Sequence, residues 1–231
     1  MGYVFAAPPQ AAVPIDSTSD LYPVHRIYCV GRNYVEHAKE MGHSGREPPF
    51  FFCKPADAVL PVPFGSTGSL PYPSETTSLH HEIELVVAIG RSGSNIAASD
   101  ALKHIYGYAV GLDMTRRDLQ STMKSKGWPW EVGKAFDYSA PISPIKPISA
   151  TGEIAGAQIW LNVNGERRQA SDTSKLIWSV NETIEHLSKY FELKPGDLIY
   201  TGTPEGVASV KRGDELDGGV EHIGALNVRV V

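Results

Sequence analysis

The segment His80-His81-Glu82-Ile83-Glu84-Leu85 sets two carboxylates two positions apart at the start of an apolar run. In an extended strand this spacing puts His80, Glu82 and Glu84 on one face and Ile83 and Leu85 on the other. Burying unpaired carboxylates is costly, so the pair either stays solvated on an edge strand or shares a cation. Asp113 follows the apolar stretch 108–112 and is either a helix cap or a third ligand of that cation. Three carboxylates make a hard, all-oxygen site for Mg²⁺, Mn²⁺ or Ca²⁺, and no Cys or paired-His set points to structural zinc. If His80 joined them, a softer metal would be admitted.

His37 and Glu40 are three apart and share a face if the chain there is helical. Such a pair is a surface ion pair, or a general base for water in which the carboxylate orients the imidazole and raises its basicity. In the segment Gly127-Trp128-Pro129-Trp130-Glu131-Val132-Gly133-Lys134 the glycines stand too far apart for a phosphate loop, and Ala135 replaces the required Ser or Thr. Nucleotide binding is therefore excluded. Lys134 is then a surface lysine or a buried cation facing the carboxylates. The glycine-rich stretch Thr201-Gly202-Thr203-Pro204-Glu205-Gly206-Val207 is a tight turn whose N–H groups and hydroxyls could also hold an anion.

The elements that must position these groups are mostly strands. Eleven of the 17 prolines fall at or before Pro73, which breaks the first third into short strands and ordered loops. Residues 1–25 read as an N-terminal arm. A strand over 27–30 ends at Gly31, after which Asn33 caps a short helix over 34–41. Residues 82–89 turn from alternating to fully apolar, the pattern of a strand buried on both faces. Helices are expected over 99–106 and 115–124, and a hairpin turns at Asn164-Gly165 after a strand over 159–163. From a cap at Ser174, Leu176, Ile177, Val180, Ile184 and Leu187 recur at helical spacing. Strands follow over 198–201 and 225–231. Strands outnumber helices and do not alternate with them, so the fold expected is mixed α/β and β-rich, with short peripheral helices, rather than a Rossmann fold or TIM barrel.

At 231 residues the chain fits one domain, 26–231, behind the arm. Its net charge of −5 gives no global drive toward nucleic acid, so an anionic ligand must be held locally. Cys29 and Cys53 form no metal-knuckle pair and read as buried thiols of a reduced compartment. The N-terminus lacks the charged start of a signal peptide, and the longest aliphatic run, 85–89, cannot span a bilayer. A cytoplasmic protein without membrane or nucleic-acid partners is expected.

Taken together and in order, these motifs resemble the fumarylacetoacetate hydrolase family, in its short acylpyruvate hydrolase branch. The resemblance covers residues 26–231. It rests on Cys29-Val30-Gly31-Arg32-Asn33-Tyr34 leading to His37 and Glu40, on Phe52-Cys53-Lys54-Pro55, and on the acidic segment at 80–85. It continues through Leu112-Asp113-Met114-Thr115 with Arg117, Asp118 and Gln120, then Gly133-Lys134-Ala135-Phe136-Asp137 and the turn at 201–207. The arm and residues 46–52 most resemble the bacterial fumarylpyruvate hydrolases of gentisate degradation.

What the resemblance implies is a β-roll in which Glu82, Glu84 and Asp113 bind Mg²⁺ or Mn²⁺, with His80 nearby but not a ligand. It implies a homodimer, and His37 and Glu40 on a short helix that can close over the site; a short helix bounded by Gly31 and Gly42 buries little apolar area, so the segment from Asn33 to roughly Pro49 is expected to be a mobile lid. The substrate implied is a small 2-oxo acid, an acylpyruvate whose C–C bond is hydrolysed by water that His37 activates and Glu40 orients. Lys134 is implied as a second cation for the enolate, and Arg32, Gln120 and Thr203 as binders of the carboxylate end. Two alternatives stand beside this reading: decarboxylation of oxaloacetate or a related β-keto acid, and a non-catalytic, metal-stabilised binding module.

Overall fold

In the computed structural model, which describes residues 2–36 and 46–231, the acidic strand runs Ile83–Ile89 and every residue of it is buried. Ile83, Leu85, Val87 and Ile89 enter one apolar core, while Val86 and Ala88 enter another on the opposite face. A strand so placed has to be central in its sheet. Its sheet has the order Phe50–Lys54, Ile27–Gly31, Leu198–Tyr200, Ile83–Ile89, Ile105–Leu112, Ala140–Ile142, Val59–Pro61. Leu198–Tyr200 runs parallel to Ile27–Gly31 and antiparallel to Ile83–Ile89, so loops from both neighbours arrive beside the carboxylates.

A second sheet, ordered Glu166–Asp172, Gln158–Val163, Glu215–Val220, Gly224–Val230, Thr67–Leu70, supplies the other wall of the larger core. The expected hairpin is there, with Asn164 at φ +52° and Gly165 at φ +78°, the left-handed pair that a two-residue turn needs. Glu215–Val220, in contrast, carries no strand signal in its sequence. Its glycines explain the pairing: a Cβ on Gly218 would come 2.8 Å from Leu161 Cδ1 and 2.9 Å from Ile83 Cδ1, so a bare backbone lets the two sheets approach.

The longest helix is Val180–Tyr190, and it begins later than the apolar spacing predicts. Ser179 and Glu182 form a capping box, and Val180, Thr183, Ile184, Leu187 and Ser188 turn inward at helical spacing. Ser174 instead belongs to a 3-10 turn, Thr173–Lys175, capped by Asp172. Leu176 and Ile177 lie outside the helix because Asn33 holds this stretch extended, its carbonyl accepting from Ile177 N–H at 2.8 Å. The Asn33 side chain bonds Trp178 and Thr201, and most of the helix expected at 34–41 lies outside the described residues. The helix expected over 115–124 is Arg117–Lys126, closed by Gly127 at φ +66°.

The arm forms a two-stranded ribbon, Ala12–Pro14 with Leu21–Pro23. Val13, Ile15, Tyr22 and Val24 are buried in the second core, and the Tyr22 hydroxyl sits 2.7 Å from Ile89 O. No helix among the described residues is long and apolar enough to cross a membrane.

Candidate metal centre

Backbone register brings the three carboxylates together. Ile83 pairs with Leu112 at the end of the Ile83–Ile89 and Ile105–Leu112 ladder, and one step further Asp113 N–H donates to Glu82 O at 2.9 Å. Asp113 therefore lies opposite Glu82, and Glu84 follows on the same strand. Ligand oxygens of Glu82, Glu84 and Asp113 all lie within 4.8 Å of one another, and all three residues are buried. Thr201 and Gly202 come in from the neighbouring strand, where Gly202 N–H donates to Glu84 Oε2 at 2.8 Å. Gly202 sits at φ +103°, and a Cβ there would meet Asn33 Cβ at 2.7 Å, so this support needs glycine.

Three cations face the cluster. Lys134 Nζ bridges Glu82 Oε2 at 2.8 Å and Asp113 Oδ2 at 2.6 Å, while Arg117 pairs with Glu82 Oε1. Lys54 Nζ lies 2.8 Å from Asp113 Oδ1 and donates to the Lys134 carbonyl, which anchors the short helix Glu131–Lys134. Burial pulls the Lys134 ammonium down, but Asp113 and Glu82 outweigh it and the net shift is upward, so Lys134 stays charged. Glu84 goes the other way. Burial, then repulsion from Asp113 and Glu82, pushes its carboxyl well above the ordinary range, with Gly202 and Lys134 pulling it back only in part.

These observations fit a divalent ion. Asp113 Oδ1 is buried and accepts no hydrogen bond despite its ion pair, and the Glu84 carboxylate, supported through one backbone N–H, carries a charge that its surroundings disfavour. A hard cation held by all-oxygen ligands relieves both, and Mg²⁺ or Mn²⁺ suits that donor set. His80 stands aside from the three ligands, bonded to Ser78 Oγ at 3.0 Å on the short strand Leu79–His80.

The cluster forms the floor of a cleft whose walls include Arg32, Gln120, Thr203, Arg117, Phe50 and Trp130. All three residues expected to bind the substrate carboxylate thus face the metal ligands. Arg32 sits at φ +56° with its guanidinium 4.7 Å from the Phe50 ring centre. Gln120 Oε1 accepts from Arg117 at 2.5 Å. The Thr203 hydroxyl donates to Ile83 O at 2.8 Å and accepts from Gln169 at 2.9 Å. His37 and Glu40 lie outside the described residues. Sequence reasoning gave Lys54 and Arg117 no role of their own. A lysine closing an aromatic strand, and an arginine four residues past Asp113, were the signals available.

Comparisons with known proteins agree with this geometry. A crystal structure of fumarylpyruvate hydrolase from Pseudomonas aeruginosa, in complex with Mn²⁺ and pyruvate, is 56% identical, with a TM-score of 0.98, covering 100% of this chain and 99% of that one. The oxaloacetate tautomerase YcgM of Escherichia coli is 43% identical over 84% of this chain and 88% of its own length. The mitochondrial oxaloacetate tautomerase FAHD1 of Rattus norvegicus is 41% identical over 88% of this chain and 90% of its own length. The model of the fumarylacetoacetate (FAA) hydrolase C-terminal family matches residues 26–231, which include all three carboxylates and every cation that faces them. The chain therefore belongs to the fumarylacetoacetate hydrolase family.

Proposed function

We propose that this protein is a metal-dependent acylpyruvate hydrolase that cleaves fumarylpyruvate to fumarate and pyruvate. The observation that carries the reading is the convergence of Glu82, Glu84 and Asp113 under a cleft whose other charged groups are cations. Lys54, Lys134 and Arg117 already face the three carboxylates, so a divalent ion held by those carboxylates would make the cleft positive. A dicarboxylate substrate suits that surplus. A metal held by Glu82, Glu84 and Asp113 would supply the Lewis-acid charge for a 2-oxo acid and for the enolate that forms from it.

The chain's own groups divide the remaining work. Lys134, buried and charged, faces the same developing oxyanion. Arg32 and Gln120 offer donors to a carboxylate from the cleft wall, while Thr203 shapes its floor. His37 is the proposed base, oriented by Glu40: it takes a proton from water as that water adds to the carbonyl beyond C3. Collapse of the adduct breaks the C–C bond and releases fumarate, and the enolate takes up a proton to become pyruvate. A cytoplasmic homodimer belongs to the same reading.

A second reading is handling of oxaloacetate, by tautomerisation or decarboxylation. It is favoured by the identity to the two oxaloacetate tautomerases and, for decarboxylation, by an acidic cluster that would serve as an electron sink with a metal bound. The deciding experiment follows pyruvate release from fumarylpyruvate, shorter acylpyruvates and oxaloacetate, together with the enol-to-keto conversion of oxaloacetate by ultraviolet absorbance, with Mg²⁺ or Mn²⁺ added. The hydrolase reading expects fumarylpyruvate to have the highest kcat/KM. Turnover of oxaloacetate alone would replace it with the second reading.

A further inference from the structure

The strand Phe50–Lys54 alternates its side chains, so Phe50, Phe52 and Lys54 share one face. Lys54 marks where that face meets the floor of the cleft, because its Nζ is the atom 2.8 Å from Asp113 Oδ1. Each step of two residues advances about 6.6 Å along a strand, which carries Phe52, and then Phe50, away from Lys54. Both rings line the cleft together with Trp130. Trp130 meets Phe50 edge-on with ring centres 5.4 Å apart and Phe52 at 5.9 Å. At the inner end, Lys134 Nζ lies 5.1 Å from the centre of the Phe52 ring while it bridges Glu82 and Asp113. The aromatic wall therefore begins at the carboxylates and runs outward from them.

Backbone features hold these rings in place. Gly31 pairs with Phe50 across the ladder, and a Cβ there would collide with the Phe50 ring, so the ring lies over bare backbone. Arg32, the next residue, sits at φ +56° and brings its guanidinium 4.7 Å from the same ring centre. The Trp130 carbonyl accepts from Gly133 N–H at 2.8 Å and Lys134 N–H at 2.9 Å, which ties the indole's backbone to the residue that faces the carboxylates.

A 2-oxo acid held at Glu82, Glu84 and Asp113 through a divalent ion has to lead the rest of its chain away from them. Beyond the carboxylates and the cations paired with them, Phe50, Phe52 and Trp130 are the large apolar side chains of the cleft among the described residues. A planar, conjugated chain offers a π-face to such rings, and aromatic contact adds to what area burial gives. A carboxylate at its far end would come to the Arg32 side of Phe50. We propose that Phe50 and Trp130 form the acyl subsite and select a flat, unsaturated acyl group that ends in a carboxylate. The proposal rests on the hydrolase reading, in which that group is fumaryl.

The test uses the full-length, Mn²⁺-loaded protein and the variants Phe50→Leu and Trp130→Phe, the second deciding by the same criteria if the first does not fold. Values of kcat/KM are measured on fumarylpyruvate, on succinylpyruvate, which has the same length and charge but is saturated, and on acetylpyruvate. Calorimetry adds the binding of Mn²⁺, of pyruvate and of trans-2-oxohept-5-enedioate, an uncleavable analogue in which a methylene replaces the carbonyl that water attacks. Phe50→Leu should lose about tenfold in kcat/KM on fumarylpyruvate and far less on acetylpyruvate, and the preference for fumaryl over succinyl should narrow. The analogue should bind it about tenfold more weakly while the affinities for pyruvate and Mn²⁺ hold. Trp130→Phe should move the same quantities in the same direction by less. Equal losses on fumarylpyruvate and acetylpyruvate overturn the subsite, as do a fumaryl preference left intact and a binding loss that pyruvate shares. If the wild type cleaves no acylpyruvate, the hydrolase reading fails on its own. The subsite is then judged by binding: a preference for the analogue over pyruvate that Phe50→Leu loses supports it, and the lack of such a preference overturns it.

Discussion

Lys54 Nζ stands 2.8 Å from Asp113 Oδ1, with the two side chains 0% and 2% exposed. A buried pair of this kind contributes little against an apolar replacement, but removing one partner leaves the other charge stranded. In metal-free protein Lys54→Met should therefore lower stability by about 3 to 5 kcal/mol. Saturating Mn²⁺ should recover much of that, because the ion supplies Asp113 with the charge that Lys54 gave. Urea unfolding with and without Mn²⁺ measures both, and an equal loss in the two conditions would mean that Lys54 acts through packing alone.

Glu84 is the candidate ligand with the thinnest support among the described residues, one N–H from Gly202 in a fully buried setting. Glu84→Gln keeps the shape and removes the charge, so the metal-free protein should gain stability while Mn²⁺ binding collapses. The loss of affinity should exceed the roughly 10- to 100-fold that removing an outer hydrogen-bond partner costs. Calorimetric titration with Mn²⁺ checks it, and wild-type affinity in Glu84→Gln would take Glu84 out of the ligand set.

How much of this was legible in the sequence depends on range. The period of two at 82–89 and the apolar run before Asp113 are local patterns, and the ladder turns them directly into three converging carboxylates. Lys54 is three strands away from Glu84 in the sheet order, so no local pattern could give its pairing with Asp113. The start of the longest helix was misread for a related reason. Leu176 and Ile177 fit the helical spacing, but the bond from Ile177 N–H to Asn33 O, which no periodicity reports, wins over it.

That misreading has its own test. Ser179→Ala removes a side chain that accepts from Glu182 N–H in the capping box, and should cost about 1 kcal/mol. Ser174→Ala, in a three-residue turn capped by Asp172, should change stability by less than about 0.5 kcal/mol. Thermal unfolding of the two variants distinguishes them, and equal losses would contradict the capping assignment.

Asp118 links the helix that carries Arg117 to the segment before the acidic strand, accepting from Thr76 Oγ1 at 2.6 Å, Thr77 N–H at 3.0 Å and Leu119 N–H at 2.9 Å. Burial raises its carboxyl, but these hydrogen bonds to the charged form outweigh it, and the net shift is below the usual 3.8. Because the folded value is the lower one, the carboxylate's contribution is full above the unfolded value and fades as pH falls through the folded one. Asp118→Asn should thus be less stable than wild type at neutral pH, and the gap should close below about pH 3.8. Melting curves across pH 2.5 to about 7 follow it, and a gap independent of pH would assign the effect to shape rather than charge.

The last prediction separates two chemistries within one protein by asking which of them needs a base. Acylpyruvate hydrolysis requires activated water, so His37→Ala or Glu40→Gln should lower it by about 10² to 10⁴. Decarboxylation of oxaloacetate requires an electron sink and no water, and those variants should retain most of whatever decarboxylation the wild type shows. Lys134 differs from His37 in this respect. Its ammonium bridges Glu82 and Asp113 at 2.8 and 2.6 Å, a place from which it would face enolate charge in either reaction, so Lys134→Ala should weaken both. Pyruvate release from the two substrates, measured for all three variants at saturating Mn²⁺, gives the pattern. An unchanged kcat for fumarylpyruvate in His37→Ala would remove His37 from the mechanism and require a different base for the attacking water.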